Sequence, residues 1–250
     1  MIVMIFDWAR LQGIVRDDYF PDAHLPELLP DEPPAEHRPA ITDPGDLGLL
    51  LRRIHGWFPR CQVPQSGLAL RLAPYVALRP EELTGALWEE INIGKAIWTI
   101  PAARMKMKKP LLIPLSRQVI EILNLSKEFS KDSKFIFFSK RSKKYGHISK
   151  NTLLKALQKL GYNTYSDVYM HGFRTTFSSL LNEYVVFNKD TIERQLAHMN
   201  KIRGIYNISK YLEERTEMMQ LWADYLDALR EGPAVSLKEW AKSRAGDADA

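Results

Sequence analysis

Seven prolines fall between residues 21 and 44, and they divide the chain before any other pattern is considered. Proline fixes φ and lacks a backbone N–H donor, so neither a helix nor a strand continues through such a stretch. Residues 1–20, in contrast, have apolar residues near helical spacing. We therefore expect 21–40 to be a proline-rich linker. It would join the end of a helix from a preceding domain to a main domain that begins near residue 41.

Beyond residue 41, apolar residues recur mainly at the spacing of amphipathic helices. The pattern predicts helices over 46–57, 66–77, 80–87, 116–127, 151–160, 171–183, 189–197 and 208–230, and strands over 97–100, 110–115 and 134–138. We therefore expect a mainly α fold with a small antiparallel β-sheet, in a domain spanning 41–232. Residues 233–250 are rich in Ala, Ser and charge, which predicts a flexible tail, although Leu237 and Trp240 could dock on the domain.

Composition excludes several classes of protein. The single cysteine, Cys61, rules out an intrachain disulfide framework and fits a reducing compartment. No apolar stretch approaches the roughly 20 residues that a membrane span needs. The apolar opening lacks a basic leader, so a secretory signal is not expected. We therefore expect a cytoplasmic protein with no membrane partner.

The net charge of +5 is unevenly distributed along the sequence. Residues 1–60 hold 6 basic and 10 acidic residues, whereas residues 101–160 hold 15 basic and 3 acidic ones. Such a basic block is typical of a protein that binds a polyanion. A lysine-rich solvated surface is the alternative interpretation.

The first motif with chemical potential is LRPEEL, which contains Arg79 and Glu82. Arg79 precedes a predicted helix start, where a guanidinium and backbone N–H groups can converge on an anion. Glu82 could orient that guanidinium. The alternative is a helix cap with a solvated arginine.

A second motif is the basic turn between the two predicted strands at 97–100 and 110–115. It contains Lys106, Lys108 and Lys109. A hairpin tip can push a lysine ammonium into a partner's groove, although a basic turn is often only solvated.

The third motif is His171-Gly-Phe-Arg174, in which imidazole and guanidinium share one face of a helix start. Such a pair can hold a phosphate, or it can form surface ion pairs.

The fourth motif places His198 eight residues before Tyr206, with Tyr211 five residues further on. The histidine could equally be a buried structural residue, and the tyrosines could be packing residues.

Taken in order, these motifs give Arg, Lys, His-x-x-Arg, His and Tyr, and here the sequence resembles the catalytic domain of tyrosine recombinases of the phage and prophage integrase type. The segments LRPEELTGALWEEIN, RMKMKKPLLIPLS, MHGFRTTFSSLLNE, IERQLAHMN and YNISKYLEERTEMMQLWADYL carry the resemblance, which covers about 41–229. The resemblance implies the DNA breaking-rejoining fold of that family. It also implies that 1–20 is a remnant of the family's helical core-binding domain.

The resemblance further implies a role for each motif. Arg79 and Arg174 would clamp the scissile phosphate, with Glu82 in support, and Tyr206 would be the nucleophile that forms a 3′-phosphotyrosyl DNA intermediate. Lys106 would be the general acid, with His171 and His198 as supporting groups. The DNA backbone would be contacted by Lys108, Lys109, Arg141, Lys143 and Lys144. The implied partner is double-stranded DNA at attachment sites, bound by a tetramer in the bacterial nucleoid; for the isolated protein, a monomer is the alternative.

This chemistry needs no metal and no nucleotide cofactor. The sequence has no zinc-type Cys/His spacing and no phosphate-binding glycine-rich loop, which agrees with that expectation. Two departures from the family pattern stand out. The interval from His198 to Tyr206 is shorter than in similar sequences, and the amino-terminal DNA-binding domains are reduced to 1–20. A catalytically silent DNA-binding fragment and a type IB topoisomerase-like relaxing activity therefore stay as alternatives to recombination.

Overall fold

The structure is a computed structural model, and it describes residues 8–15, 40–142, 145–184, 186–197 and 211–248. The chain divides into two compact units, Met1–His37 and Arg38–Ala250. Within the first unit, residues 8–11 form a single helical turn, with Trp8 and Leu11 exposed. The predicted linker at 21–40 lies almost wholly outside the described residues.

The second unit is mainly helical, as the sequence predicts. Its described helices are α1 (Pro44–Trp57), α2 (Pro64–Val76), α3 (Pro80–Thr84), α4 (Arg117–Ser130), α5 (Lys150–Lys159), α6 (Gly172–Tyr184), α7 (Lys189–Gln195), α8 (Leu212–Glu231) and α9 (Leu237–Ala248). Single 3₁₀ turns occur at Phe58–Arg60, Trp88–Glu90 and Ala102–Arg104. The predicted helix bounds agree with these to within a few residues.

One antiparallel sheet contains the strands β1 (Ile91–Asn92), β2 (Ile97–Ile100) and β3 (Leu111–Pro114), in the order β1-β2-β3. Trp98 pairs with Ile113, and Ile100 pairs with Leu111. These residues are buried, whereas Thr99 between them is exposed, so one face of the sheet covers the core. The hairpin predicted around the basic turn is confirmed.

Local sequence signals explain where the helices begin. The Asp43 carboxylate accepts a hydrogen bond from the Asp46 backbone N–H at 2.9 Å, and Pro44 occupies the first turn of α1. The Ser116 hydroxyl caps α4 in the same way, accepting from the Val119 N–H at 3.4 Å. Both caps use a short polar side chain followed by an apolar periodic run, which is the signal that the sequence provides.

Helix α2 lies at the centre of the core. Ten of its residues are buried, and it packs against α1, α4, α5 and α8. Trp222 of α8 joins this core twice: its indole N–H donates to the Pro74 carbonyl at 2.9 Å, and its ring meets Phe177 edge-on at 5.3 Å. Because α2 is buried on nearly every side, the core holds it in place, and the candidate site residue Arg79 follows three residues after its last residue, Val76.

Two segments differ from the sequence expectations. Residues 134–138 do not form a strand, because the segment makes only isolated bridges, Leu87 with Phe135 and Phe138 with His147. The predicted flexible tail contains helix α9, whose start is capped reciprocally by Ser236 and Glu239. Leu237 is buried, and Trp240 lies 5.5 Å from the Tyr225 ring.

Among the residues that the structure describes, no helix has both the length and the apolar character needed to cross a bilayer.

Candidate active site

Arg79 caps the start of α3 and lies three residues after Val76, the last residue of α2. Ala77 ends α2 in the left-handed region, with φ of 49°, and this turn redirects the chain into α3. The Arg79 guanidinium donates to the Glu82 carboxylate at 3.0 Å, and the Arg79 backbone N–H donates to the other carboxylate oxygen at 3.1 Å. Glu82 is buried and the Arg79 side chain is 17% exposed. Glu82 therefore both caps the helix and orients the guanidinium. Because the Arg79 side chain is mostly buried, it is not the solvated arginine of the alternative interpretation.

Arg174 lies in the first turn of α6 and is almost completely buried. Its guanidinium donates to the Ala77 carbonyl at 2.7 Å and to the Leu196 carbonyl at 2.6 Å. Burial, and after it the positive charge of Arg79, lower the pKa of Arg174 to about 10. The Ala77 carbonyl that Arg174 contacts lies two residues before Arg79, so both arginines are located at the turn between α2 and α3. Surface ion pairing, the alternative for Arg174, is wrong because the side chain is inside the protein.

We call Arg79 and Arg174 the arginine pair. Backbone strain surrounds it, because Ala77 and Ala197 both have positive φ, 49° and 51°. Non-glycine residues seldom adopt this conformation, and it persists only where neighbouring contacts hold it. Here, Arg174 donates to the carbonyl of Ala77 itself and to the carbonyl of Leu196, the residue before Ala197. Nothing in the sequence marks these alanines, so sequence reasoning missed them.

His171 precedes α6 and is half-buried. Its carbonyl accepts a hydrogen bond from the Arg174 backbone N–H at 3.0 Å, which closes the first turn between them. His171 and Arg174 therefore belong to one helical turn, and a shared face for their side chains stays a prediction.

The basic turn between β2 and β3 is exposed. We call Lys106–Lys109 the hairpin tip; Lys106, Lys108 and Lys109 are all exposed there, while Met105 beside them is buried. The Lys108 N–H donates to the Met105 carbonyl at 3.1 Å, and Lys108 has a positive φ of 53°. Within the described part of the chain, no hydrogen bond or ion pair joins Lys106 to the arginine pair.

The foot of the hairpin is anchored by residues that sequence reasoning missed. Arg104 bonds to the carboxylate of Glu90, and its guanidinium also reaches the carbonyls of Gly85 and Glu82. The hairpin is thereby tied to the same helix, α3, that carries Glu82. Glu90 follows Glu89, and Arg104 begins the basic run of the hairpin, so the sequence does not single out this pair, whose members are 14 residues apart.

Four site residues, His198, Tyr206, Lys143 and Lys144, lie outside the described residues. Their flanking elements are well defined. Arg215 of α8 donates to the Gln195 side chain at 3.1 and 2.6 Å, and the Thr191 hydroxyl donates to Glu214 at 2.6 Å. Hydrogen bonds thus join α7 to the start of α8. The carbonyl of Leu196, two residues before His198, accepts a hydrogen bond from Arg174.

The remaining predicted contacts are peripheral. Arg141 is exposed in the loop after Phe138. Tyr211, at the start of α8, lies under the Arg194 guanidinium at 4.3 Å, which fits a packing role. No group of three or more His, Cys, Asp or Glu residues that could hold a metal ion occurs among the residues described here.

Comparison with known proteins identifies the family of the chain. The model of the phage integrase family matches residues 59–213, so the chain belongs to that family. Within this family, the chain is 39% identical over 202 residues to the prophage integrase IntZ of Escherichia coli K12, covering 75% of this chain and 49% of IntZ. It is 39% identical over 178 residues to the integrase of Enterobacteria phage P4, covering 65% of this chain and 40% of that protein. The chain therefore spans about half or less of the length of these relatives.

Two solved structures share the fold. The integrase of mycobacterium phage Brujita gives a TM-score of 0.56 at 18% identity, covering 94% of this chain and 72% of its own. A lambda integrase fragment, residues 75–356, crystallised as a dimer bound to a COC′ core site, gives 0.55 at 16% identity, covering 82% and 71%. The expected fold class, mainly helical with a small antiparallel sheet and of the tyrosine recombinase type, is confirmed.

Proposed function

We propose that this chain is the catalytic part of a site-specific tyrosine recombinase, which breaks and rejoins double-stranded DNA through a 3′-phosphotyrosyl intermediate. The observation that carries the proposal is the arginine pair. Arg174 is buried against the carbonyl of Ala77, two residues before Arg79, and both arginines lie inside the segment that matches the phage integrase family. Two like charges held together inside a fold favour an anion between them, and a phosphodiester is such an anion.

Each step of the reaction has a candidate group. The Tyr206 oxygen attacks the phosphorus, the bond from phosphorus to the 5′-oxygen breaks, and the 3′-phosphate becomes attached to the tyrosine. His171 accepts the tyrosine proton, and Lys106 donates a proton to the departing 5′-oxygen. The arginine pair stabilises the charge on the non-bridging oxygens, and His198 donates to one of them. A 5′-hydroxyl from a second strand then reverses the step and rejoins the DNA.

The exposed cations of the basic block support the DNA partner. Lys108, Lys109 and Arg141 lie on exposed turns of the basic block, and Lys143 and Lys144 follow in sequence. Cations at such positions neutralise backbone phosphates without reading bases. Recombination joins two duplexes at four strands, so we place the working enzyme in a tetramer on DNA, within the bacterial nucleoid.

We assign residues 41–232 to the catalytic domain, 21–40 to the linker and 1–20 to a remnant of the core-binding domain. Support for these bounds comes from the proline density of the linker, from the unit that begins at Arg38, and from the family match over 59–213.

The test is covalent capture on nicked DNA. A pool of duplexes with a randomised central segment is nicked near the segment, so that a cleaved end diffuses away and leaves the protein attached. We expect the chain to give an adduct that survives denaturing electrophoresis, and Tyr206→Phe to give none. Tyr211→Phe is the matched control and should retain the adduct. Equal adduct from the chain and from Tyr206→Phe would overturn the proposal.

A second function is favoured by one observation, the short interval of eight residues between His198 and Tyr206. A displacement of the tyrosine oxygen by about 1 Å costs about a hundredfold in rate. A silent DNA-binding fragment would show salt-sensitive retention of the same duplex pool without any adduct, so the same experiment separates the two functions.

A further inference from the structure

The Arg104 guanidinium makes four hydrogen bonds within the protein. Its Nε donates to Glu90 Oε1 at 2.6 Å, and its Nη2 donates to Glu90 Oε2 at 3.0 Å, which makes the pair bidentate. Its Nη1 donates to the Gly85 carbonyl at 2.5 Å, and Nη2 also reaches the Glu82 carbonyl at 3.0 Å. These bonds connect the hairpin to Glu82 within α3, to Gly85 directly after it and to Glu90 in the following 3₁₀ turn.

Glu90 is itself held from the other side. It is buried, and its Oε2 accepts from the Trp98 indole N–H at 3.0 Å and from the Leu87 backbone N–H at 3.3 Å. Trp98 is a fully buried residue of β2, so the carboxylate is fixed to the sheet. An ion pair with such geometry has little freedom, in contrast to an exposed surface pair.

Gly85 shows how closely the guanidinium is seated. A Cβ at this position would lie 2.7 Å from Arg104 Nη1, which is closer than van der Waals contact allows. An alanine at position 85 would therefore displace the guanidinium while leaving both charged groups in the protein. The backbone of Gly85 itself is unstrained, with φ of −90°.

We call the ion pair of Arg104 and Glu90 the anchor. Lys106 is two residues from Arg104, whereas its own side chain is exposed and makes no ion pair within the described residues. Two residues of chain span at most about 7 Å, so the anchor limits where the lysine backbone can go. The anchor ends on the Glu82 carbonyl, and the Glu82 side chain orients Arg79. Hydrogen bonds from Arg104 to Glu82 and from Arg79 to Glu82 therefore connect the backbone that carries Lys106 to the arginine pair.

We propose that Arg104 and Glu90 are positioning residues, which hold the hairpin so that Lys106 reaches the 5′-oxygen that leaves. The inference rests on the proposed function, because it assumes that Lys106 is the general acid. It adds that the acid's placement depends on an ion pair that does not touch DNA. The loss of this pair should give the same kind of defect as Lys106→Ala, smaller in size, without changing the lysine.

The test uses a duplex recovered by covalent capture, in two forms. One has the ordinary 5′-oxygen at the cleaved bond, and the other has sulfur in place of that oxygen. A thiolate leaves without being protonated first, so the sulfur substrate does not need a general acid. A merely structural or DNA-binding defect slows both substrates, whereas a misplaced acid slows only the oxygen substrate.

The first variant is Glu90→Gln with Arg104→Met. It leaves the net charge unchanged, and the glutamine oxygen still accepts from Trp98 and Leu87, so no buried carboxylate is left unpaired. We expect adduct formation to slow roughly 30-fold with the oxygen substrate and to stay within about threefold of wild type with sulfur. Gly85→Ala should give the same pattern with both charges present, which keeps the test valid if the double variant fails to fold.

The matched control is Arg117→Met with Asp224→Asn, which removes another arginine–carboxylate pair, of 3.0 Å, between α4 and α8. It should leave both rates unchanged. The inference is overturned if the anchor variants slow both substrates equally or slow neither. If Lys106→Ala is not rescued by sulfur, the assignment of the general acid fails and the inference fails with it. A wild-type chain with no Tyr206-dependent adduct overturns the proposed function itself.

Discussion

The arginine pair and the hairpin tip are both cationic, yet the protein treats them in opposite ways. Arg174 is buried and donates to two backbone carbonyls, and Arg79 is held by a buried carboxylate. The lysines of the hairpin tip are exposed, and none has an ion-pair partner among the residues described. Hydrogen bonds fix the direction of the guanidinium groups in the arginine pair, whereas the ammonium groups of the hairpin tip extend into solvent on flexible side chains.

The difference shows what each region contributes. A buried guanidinium costs desolvation, which its lowered pKa records, and the fold accepts this cost only with good hydrogen bonds. An exposed ammonium costs almost nothing, since it stays hydrated. Changes in the arginine pair should therefore affect stability and chemistry together, while changes at the hairpin tip should affect chemistry or DNA binding alone.

The largest effect is expected for Arg174→Lys. A lysine keeps the charge but cannot donate to both the Ala77 and Leu196 carbonyls in the same geometry, so one buried carbonyl loses its partner. We expect the unfolding free energy to fall by about 2 kcal/mol, which lowers the melting temperature by about 6 °C. Adduct formation should fall at least about a hundredfold, the loss typical of one preorganised donor. Thermal unfolding and covalent capture measure the two effects.

Arg194→Lys provides the control, because it changes an arginine near the same segment that lies over the Tyr211 ring rather than inside the core. It should lower the melting temperature by about 2 °C or less. A melting temperature for Arg174→Lys within error of wild type would contradict the idea that the arginine pair is part of the core.

The same contrast explains how much could be predicted from the sequence. Helix starts and the hairpin followed from local signals, such as the Asp43 and Ser116 caps and the alternation along β2. The surroundings of Arg174 could not be predicted, because its carbonyl partners lie 97 and 22 residues away and no side-chain type identifies a carbonyl. The run 134–138 has strand composition but lacks a continuous partner, and α9 depends on a docking surface around Tyr225.

A smaller effect, confined to chemistry, is expected for Lys106→Ala. The side chain is exposed, so the melting temperature should change by no more than about 1 °C. Loss of a general acid should slow adduct formation about a hundredfold with the oxygen substrate. Retention of the duplex should decrease only slightly, because one charge among many is lost. Lys106→Arg is the companion variant: if it restores the rate fully, the group supplies charge rather than a proton.

The smallest effect is expected for Lys108→Ala and Lys109→Ala, which separate the hairpin tip into its parts. If these lysines only neutralise phosphates, each change lowers the slope of log affinity against log salt by about 1. The rate of adduct formation on saturating DNA should stay within about twofold of wild type, because neither group then takes part in the transition state.

Filter retention of the duplex at several salt concentrations measures the slope. Lys131→Ala, on an exposed turn after α4, is the control for general charge loss. A loss of rate at saturating DNA equal to that of Lys106→Ala would show that the proton donor had been assigned to the wrong lysine.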